Sequence, residues 1–182
     1  MVTRDEAIKL ITEKGQSPNI IKHLVSVGAA MRSLAEHFHE DPDRWELAGI
    51  LHDADYNLAP IEKHGYESAA WFSGKIDPEI ENAVIAHNFS HNGVAPKSRM
   101  AWALYSVDNL AGLIIAAALV RPDKKLDGLT TESVLKRFKE PSFAKGANRS
   151  EIAACTKVGL ALPKFTEISL SGIKAVAGEL GL

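Results

Sequence analysis

The sequence has little of several features that would restrict its class of function. Its 182 residues include one cysteine, Cys155, so no internal disulfide can form and a reducing cytosol is compatible with the chain. Apolar neighbours in EIAACTKVGL favour a buried, inert thiol over a reactive one. The formal net charge is only −2. A charge this small gives no electrostatic indication of a nucleic acid polymer as partner.

Long hydrophobic runs are also missing. The most apolar run, LAGLIIAAALV at 110–120, has 11 residues, about half of the ~20 needed to cross a bilayer. The opening MVTRDEAIKLITEKG carries acidic residues where a signal peptide would be basic and then apolar. We therefore expect a cytoplasmic protein without a membrane partner, in which the apolar run forms a buried central helix.

Strand patterns are absent, whereas helix starts are frequent. Thr3 to Glu6 fit a capping box, and Ser17-Pro18, Asp41-Pro42 and Asp77-Pro78 each place a capping residue before a proline. These signals predict a single all-α domain over residues 1–182, with about eight or nine helices. The main predicted helices cover residues 18–39, 42–54, 66–75, 78–90, 97–120, 148–160 and 163–182.

Four polar residues occur where these helices are otherwise apolar. His23 lies on an apolar stripe, His52 and Asp53 end the helix in AGILHDADY, and Asp108 is mid-helix in ALYSVDNLAGLII. His23 alone is typical of a hydrogen-bonded core histidine. An unpaired buried carboxylate at Asp108 would cost several kcal/mol, and no Lys or Arg lies within one helical turn. Two imidazoles and two carboxylates together suit Mn, Fe, Ni, Co, Zn or Mg, so we predict a divalent metal site.

The order of these residues resembles the HD superfamily of metal-dependent phosphohydrolases. In this chain the resemblance rests on His23, the His52-Asp53 doublet and Asp108, within a frame of about residues 20–120. Residues 121–182 would complete an HD-type bundle, and the segment after the frame is similar to a bacterial subgroup of predicted HD hydrolases. The resemblance implies hydrolysis of a phosphoester or phosphoanhydride by a metal-activated water. Asp53 and Asp108 would be catalytic: Asp53 would bind the metal and bridge two ions where two are present, and Asp108 would orient the water.

The resemblance also implies candidate ligands for a second ion, His64 and His87, and whether one ion or two are bound stays open. His91 is favoured as a helix cap. Many relatives continue the doublet with Ile-Gly and a basic residue, whereas this chain has Ala54-Asp55-Tyr56. Two interpretations of Asp55 are equally open: a hydrogen bond to a ligating histidine, or a solvated residue at a helix end.

Without that basic residue, substrate phosphate must be held elsewhere. Lys145 and Arg149 in SFAKGANR are the candidates, because Arg149 would lie in the first turn of a helix whose amides attract anions. A solvated basic loop is an equal alternative. Tyr105 and Asn109 lie within one turn of Asp108, where they would line a pocket.

The sequence thus predicts a hydrolase for a small phosphorylated metabolite, with a nucleotide or dinucleotide as the favoured substrate and one or two divalent ions as cofactor. Two alternatives remain: a non-catalytic nucleotide-binding or regulatory module, and a di-iron oxygenase. Apolar helix faces also leave a homo-oligomer open.

Overall fold

Every regular element of the chain is helical, as the sequence predicted. The computed structural model describes residues 1–182 and contains eleven α-helices and two 3₁₀ helices. The α-helices are α1 (Arg4–Glu13), α2 (Pro18–Phe38), α3 (Pro42–Leu51), α4 (Tyr66–Trp71), α5 (Pro78–Ala86), α6 (Phe89–Asn92), α7 (Arg99–Leu119), α8 (Thr131–Phe138), α9 (Arg149–Ala153), α10 (Leu162–Ala175) and α11 (Ala177–Leu180). The 3₁₀ helices are Ile61–Lys63 and Ala154–Val158.

The predicted helix starts are confirmed by their capping hydrogen bonds. Thr3 forms the full capping box with Glu6, and the side chains of Ser17, Asp41 and Asp77 each accept backbone N–H groups of the helix that follows. These bonds satisfy amides that have no partner inside a helix. Local sequence therefore sets where most of the helices begin.

Four helices end several residues earlier than predicted: α3, α4, α5 and α9 end at residues 51, 71, 86 and 153 instead of 54, 75, 90 and 160, and a histidine explains the ends of α3 and α5. The ring N–H of His52 donates to Gly49 O at the end of α3, and that of His87 donates to Val84 O at the end of α5. Each of these carbonyls would otherwise accept the backbone N–H four residues later. The side chain thus ends the helix and is itself fixed in orientation. The predicted final helix is also divided, because α10 ends before Val176 and α11 begins after it.

The core is built around α7, which packs against α2, α5, α8, α9 and α10. By length and composition α7 is the one helix that qualifies as a membrane span, with a mean hydropathy of 1.5, and 61% of that window is buried inside the protein. Most of α7 is therefore packed inside the protein. Cys155 is fully buried, as predicted, and burial raises the pKa of its thiol.

A close approach of two backbones positions the first site elements. Gly49 of α3 faces Gly28 of α2, and a Cβ at Gly49 would lie 2.7 Å from Gly28 Cα. No side chain fits between these helices, so α3 lies directly against α2. The end of α3, with His52 and Asp53, is thereby held beside His23 of α2.

Candidate metal centre

Four of the predicted ligands come together although 85 residues separate the first from the last. His23 belongs to α2, His52 and Asp53 follow α3, and Asp108 lies in the middle of α7. One potential ligand atom from each lies within 4.8 Å of the others. His23 Nε2 is 2.9 Å from Asp108 Oδ1, and His52 Nε2 is 3.5 Å from the same oxygen. We call this group cluster A.

A second group of donors shares Asp53 with cluster A. His64 Nε2 and His87 Nε2 lie 2.9 and 3.2 Å from Asp53 Oδ1, and 3.0 Å from each other. The other oxygen of the same carboxylate, Oδ2, lies 3.8 Å from His23 Nε2 and 3.6 Å from His52 Nε2. We call Asp53, His64 and His87 cluster B. Asp53 therefore directs one oxygen to each cluster, which is the geometry of a bridging carboxylate.

Three of the imidazoles are held so that Nε2 faces the clusters. The Nδ1 atoms of His52, His87 and His64 bond to Gly49 O, Val84 O and Asp55 Oδ1, respectively. A fixed Nδ1 hydrogen bond of this kind sets the tautomer of a metal-ligating histidine and leaves the Nε2 lone pair for the ion. His52 Nε2 is buried and has no hydrogen-bond partner. An ion in cluster A would satisfy this atom, so the residues present fit a divalent cation.

Asp55 supports cluster B from behind. Its carboxylate is fully buried and accepts hydrogen bonds from His64 Nδ1 at 2.7 Å, Gly65 N at 2.9 Å and Ser68 N at 3.1 Å. Burial raises the pKa of Asp55, but the hydrogen bond and charge of His64 and the hydrogen bonds of Ser68 outweigh burial and lower the pKa overall. Of the two interpretations left open by the sequence, the structure supports the hydrogen bond to a candidate ligand and excludes a solvated carboxylate.

Gly65 allows the loop that carries His64 to approach α5, so that the donor atoms of cluster B come together. Its φ is +87°, a conformation that side chains rarely adopt, and a Cβ there would lie 2.9 Å from Val84 O of α5. The loop that carries His64 can therefore approach the end of α5, where His87 lies. Gln16 makes a comparable contribution that the sequence did not indicate. Its side-chain amide donates to Ala54 O at 3.2 Å and Tyr56 O at 2.9 Å, which fixes the turn after the His-Asp doublet.

The charges of the site are strongly coupled. Burial lowers the pKa of His52, but Asp53 and Asp108 raise it to about 9. Burial likewise lowers the pKa of His64, but Asp53 and Asp55 raise it to about 10. Burial raises the pKa values of Asp53 and Asp108, but the histidines hold both well below the ordinary value. Without an ion, protons on histidines neutralise the carboxylates. A divalent cation would replace those protons.

An open cleft of about 430 Å³ gives access to cluster A. Asn109, predicted as a pocket residue, lines it, and its side chain fixes the neighbouring loop by donating to Glu151 and accepting from Asn148 N. Tyr105, the other predicted pocket residue, instead bonds to Ser90 and does not line the cleft. The lining residues are Ile20, His23, Asp53, Tyr56, Asp108, Asn109, Gly112, Ala144, Gly146 and Ala147.

The two residues predicted to hold phosphate have different positions. Lys145 is exposed in the loop whose neighbours Ala144 and Gly146 line the cleft, and it forms no salt bridge. Arg149 instead donates to six backbone carbonyls, among them those of Phe143 and Ala147. Its guanidinium is occupied in closing the loop, so its contacts give it a structural role and do not support phosphate binding. His91 is exposed on α6 and belongs to neither cluster.

Comparison with known proteins agrees with this geometry. The family model described as HD domain matches residues 20–136, which include both clusters. No curated protein and no solved structure matches the chain. The family match covers well over half of the chain and begins just before His23. A histidine on α2, the His52-Asp53 doublet after α3 and the aspartate of α7 thus occur within one matched domain, and the chain belongs to the HD domain family.

Proposed function

We propose that the protein is a cytoplasmic, metal-dependent phosphohydrolase that cleaves a phosphoester or phosphoanhydride of a small phosphorylated metabolite. The observation that carries the proposal is the Asp53 carboxylate, which directs one oxygen to cluster A and the other to cluster B. Two-ion sites of this type clamp the attacking and leaving oxygens of a phosphoryl group. Membership of the HD domain family supports the same chemistry.

Each residue has a part in this proposal. His23, His52, Asp53 and Asp108 would hold one ion, and Asp53, His64 and His87 a second. A bound ion would lower the pKa of water and neutralise charge on the phosphoryl oxygens. Asp108 Oδ1 lies close to His23 and His52, and the Asp108 side chain, which lines the cleft, is 22% exposed. We therefore propose that Asp108, besides holding the ion, orients the attacking water in the cleft.

Substrate phosphate would enter from the open side. Tyr56, Asn109 and the loop of Ala144, Gly146 and Ala147 form the walls there. Lys145 supplies a cation on the same loop, and we propose that it attracts the phosphate before it reaches the ions. A nucleotide or dinucleotide agrees with the size of the cleft, since small-molecule sites commonly measure about 300–1,000 Å³.

Metal analysis and phosphate release test the proposal together. The purified protein is analysed for bound metal, and phosphate release is then measured with nucleotides, dinucleotides and sugar phosphates in Mn, Ni, Mg, Co and Zn. Asp53→Ala and Asp108→Ala should lose metal and activity, whereas Asp5→Ala, which removes a carboxylate that is 92% exposed on α1, should keep both. Circular dichroism checks that each variant is folded.

Other outcomes separate the alternatives. A protein that is inert towards every substrate, but is stabilised by one nucleotide, would be a binding or regulatory module. Two redox-active irons together with oxygen consumption would indicate the di-iron oxygenase, which the two clusters can also accommodate. If both Ala variants keep their full metal content, the assignment of the centre is wrong.

A further inference from the structure

A second groove continues from the metal cleft along α7. It measures about 380 Å³ and shares His23 and Gly112 with the cleft of cluster A. Its lining comes from α2, α7 and residues 180–182, and beyond Gly112 four of the six lining residues are apolar. The apolar residues are Ile115, Leu119, Leu180 and Leu182.

The groove follows one face of α7. Asp108, Gly112, Ile115 and Leu119 are separated by four, three and four residues, so their side chains align on the same side of the helix. At 1.5 Å per residue this row spans about 16 Å. Gly112 and Ile115 are half-buried and Leu119 is 48% exposed, although most of α7 is buried. The row therefore joins the candidate metal centre to an accessible apolar surface.

Gly112 has no packing reason to be glycine. A Cβ built there meets nothing within 4 Å. Thirteen residues of α7 precede it and seven follow it, and it does not have the positive φ of a turn. A glycine inside a helix costs about 0.5–1 kcal/mol relative to alanine. Its missing side chain does leave the passage between cleft and groove open.

The groove has few polar side chains, and one of them is already engaged in a hydrogen bond within the protein. Lys22 Nζ donates to Leu180 O at 2.7 Å, which fixes the end of α11 over the groove. Asn19 is the other polar residue that belongs to the groove alone. A nucleobase has several donors and acceptors on its edge that would need partners when buried. An apolar group would need none.

We propose that the groove binds the alcohol part of a phosphoester substrate, and that this part is an extended apolar group, an alkyl chain or an aryl group carrying one. The inference rests on the proposed function, because the phosphate of the same ester would lie at cluster A. Gly112 lets the group pass, and Ile115, Leu119, Leu180 and Leu182 cover it. The substrate class is thereby narrowed from small phosphorylated metabolites to phosphomonoesters of apolar alcohols.

A series of alkyl phosphates tests the groove directly. The specificity constant kcat/KM is measured for ethyl, butyl, hexyl and octyl phosphate and for nucleoside monophosphates, with the metal-loaded protein. Each methylene that enters the groove should raise kcat/KM by about fourfold, since burial of one methylene contributes about 0.8 kcal/mol. Gly112→Leu fills the passage and should remove most of this dependence on chain length. Ala175→Leu, a change of similar kind on the exposed end of α10, should preserve it.

Binding gives a second readout that does not need catalysis. Alkylphosphonates of the same lengths cannot be hydrolysed, and calorimetry should show affinity that increases with chain length in the wild type but not in Gly112→Leu. Gly112→Ala keeps the helix and adds one methyl group, so it should give an intermediate dependence and guard against a misfolded Leu variant.

Three outcomes are decisive. Values of kcat/KM that do not change with chain length would overturn the groove assignment while leaving the phosphohydrolase intact. Preferred hydrolysis of nucleoside monophosphates, impaired by Gly112→Leu, would overturn the apolar group in favour of a base. If no ester is hydrolysed but phosphonate affinity still rises with length, the proposed function fails and the groove stands.

Discussion

Clusters A and B share a carboxylate but differ in exposure and origin. The side chains of His23 and Asp108 in cluster A are each 22% exposed, whereas those of His64 and His87 in cluster B are 8% and 4% exposed. Cluster A draws on two helices of 21 residues, α2 and α7. Cluster B draws on a loop and a helix end, held by Asp55 and Gly65. The open cluster is suited to substrate and water, and the buried one to an ion that stays in place.

Loss of the shared carboxylate should have the largest effect. Asp53→Ala removes a donor from both clusters and leaves buried histidines without their counter-charge. We expect kcat to fall by about 10³-fold or more, since ion-assisted phosphoryl transfer contributes several kcal/mol and 1.36 kcal/mol is tenfold. Elemental analysis should show that both ions are lost. Retention of one ion in Asp53→Ala, with Asp5→Ala unchanged, would show that the clusters bind independently of the bridge.

Metal affinity should rise steeply with pH. The pKa values of His52 and His64, one from each cluster, are raised to about 9 and about 10, so both rings are protonated at neutral pH without an ion. Each ion must displace one of these protons, so the apparent affinity of each ion should increase by up to about tenfold per pH unit near pH 7 to 8 and level off above pH 10. Calorimetry in buffers of different ionisation enthalpy should detect about two protons released. Release of none would contradict the assignment of these rings as ligands.

The stability of the metal-free protein, in contrast to its metal affinity, should fall as the pH rises. Folding raises the pKa values of His52 and His64 above the ordinary value of 6.5, so protonation of these rings stabilises the folded state. This stabilisation is fully present below pH 6.5. That contribution is lost as the pH rises through 9 to 10. Urea unfolding of the metal-free protein should therefore give a lower free energy at pH 10 than at pH 6, and saturation with metal should reverse much of this loss.

Weakening the hydrogen bond between Asp55 and His64 should lower the metal affinity of cluster B more than that of cluster A. Asp55→Asn keeps the shape of the side chain but weakens the bond to His64 Nδ1. Loss of a hydrogen-bonding partner of a metal ligand typically lowers metal affinity by 10–100-fold. We expect this loss for the ion in cluster B and a smaller change in cluster A, measured by competition with a chelator. Asp5→Asn, which changes an exposed carboxylate of α1 that belongs to neither cluster, is the matched control. Equal weakening of both ions would mean that they do not occupy distinct sites.

The elements that the sequence predicted well depend on local chemistry, and those that it missed depend on contacts between distant residues. Caps at Ser17, Asp41 and Asp77 act within three residues, so the helix starts could be predicted. Ordered polar residues on apolar helices indicated cluster A. Gln16 gave no such signal, because its partners lie 37 to 40 residues away in the turn after the doublet.

Arg149 shows why a residue type and a helix position are not enough. Its position in the first turn of α9 was predicted correctly, but the guanidinium donates to six carbonyls at the end of α8 and in the loop that follows it. The sequence of this loop contains no pattern that would have predicted these hydrogen bonds. The groove next to Gly112 was equally invisible, since a glycine in an apolar helix shows its open space only when the neighbouring helices are in place.

Arg149 should therefore matter for stability more than for substrate. Arg149→Ala removes the donors of several loop carbonyls, and we expect the free energy of unfolding to fall by about 1–3 kcal/mol, with a lower melting temperature. The KM of the folded variant should change little, because the guanidinium does not face the cleft. Thermal unfolding and steady-state kinetics on the same samples check both. A large rise in KM with unchanged stability would restore the phosphate-binding interpretation.

The smallest effect should come from Lys145, which is exposed on the same loop. A solvated charge contributes at most about 1 kcal/mol to an ionic contact, so Lys145→Ala should raise KM by no more than about fivefold and leave kcat nearly constant. Lys145→Arg should restore the wild-type KM, and added salt should reduce the difference between the variants because it screens exposed charges. If Lys145→Ala has the same KM as the wild type at low salt, Lys145 does not contribute to substrate binding and is only a solvated loop residue. The phosphate would then be held by the ions alone, and substrate selection would depend on the walls of the cleft and on the groove beyond Gly112.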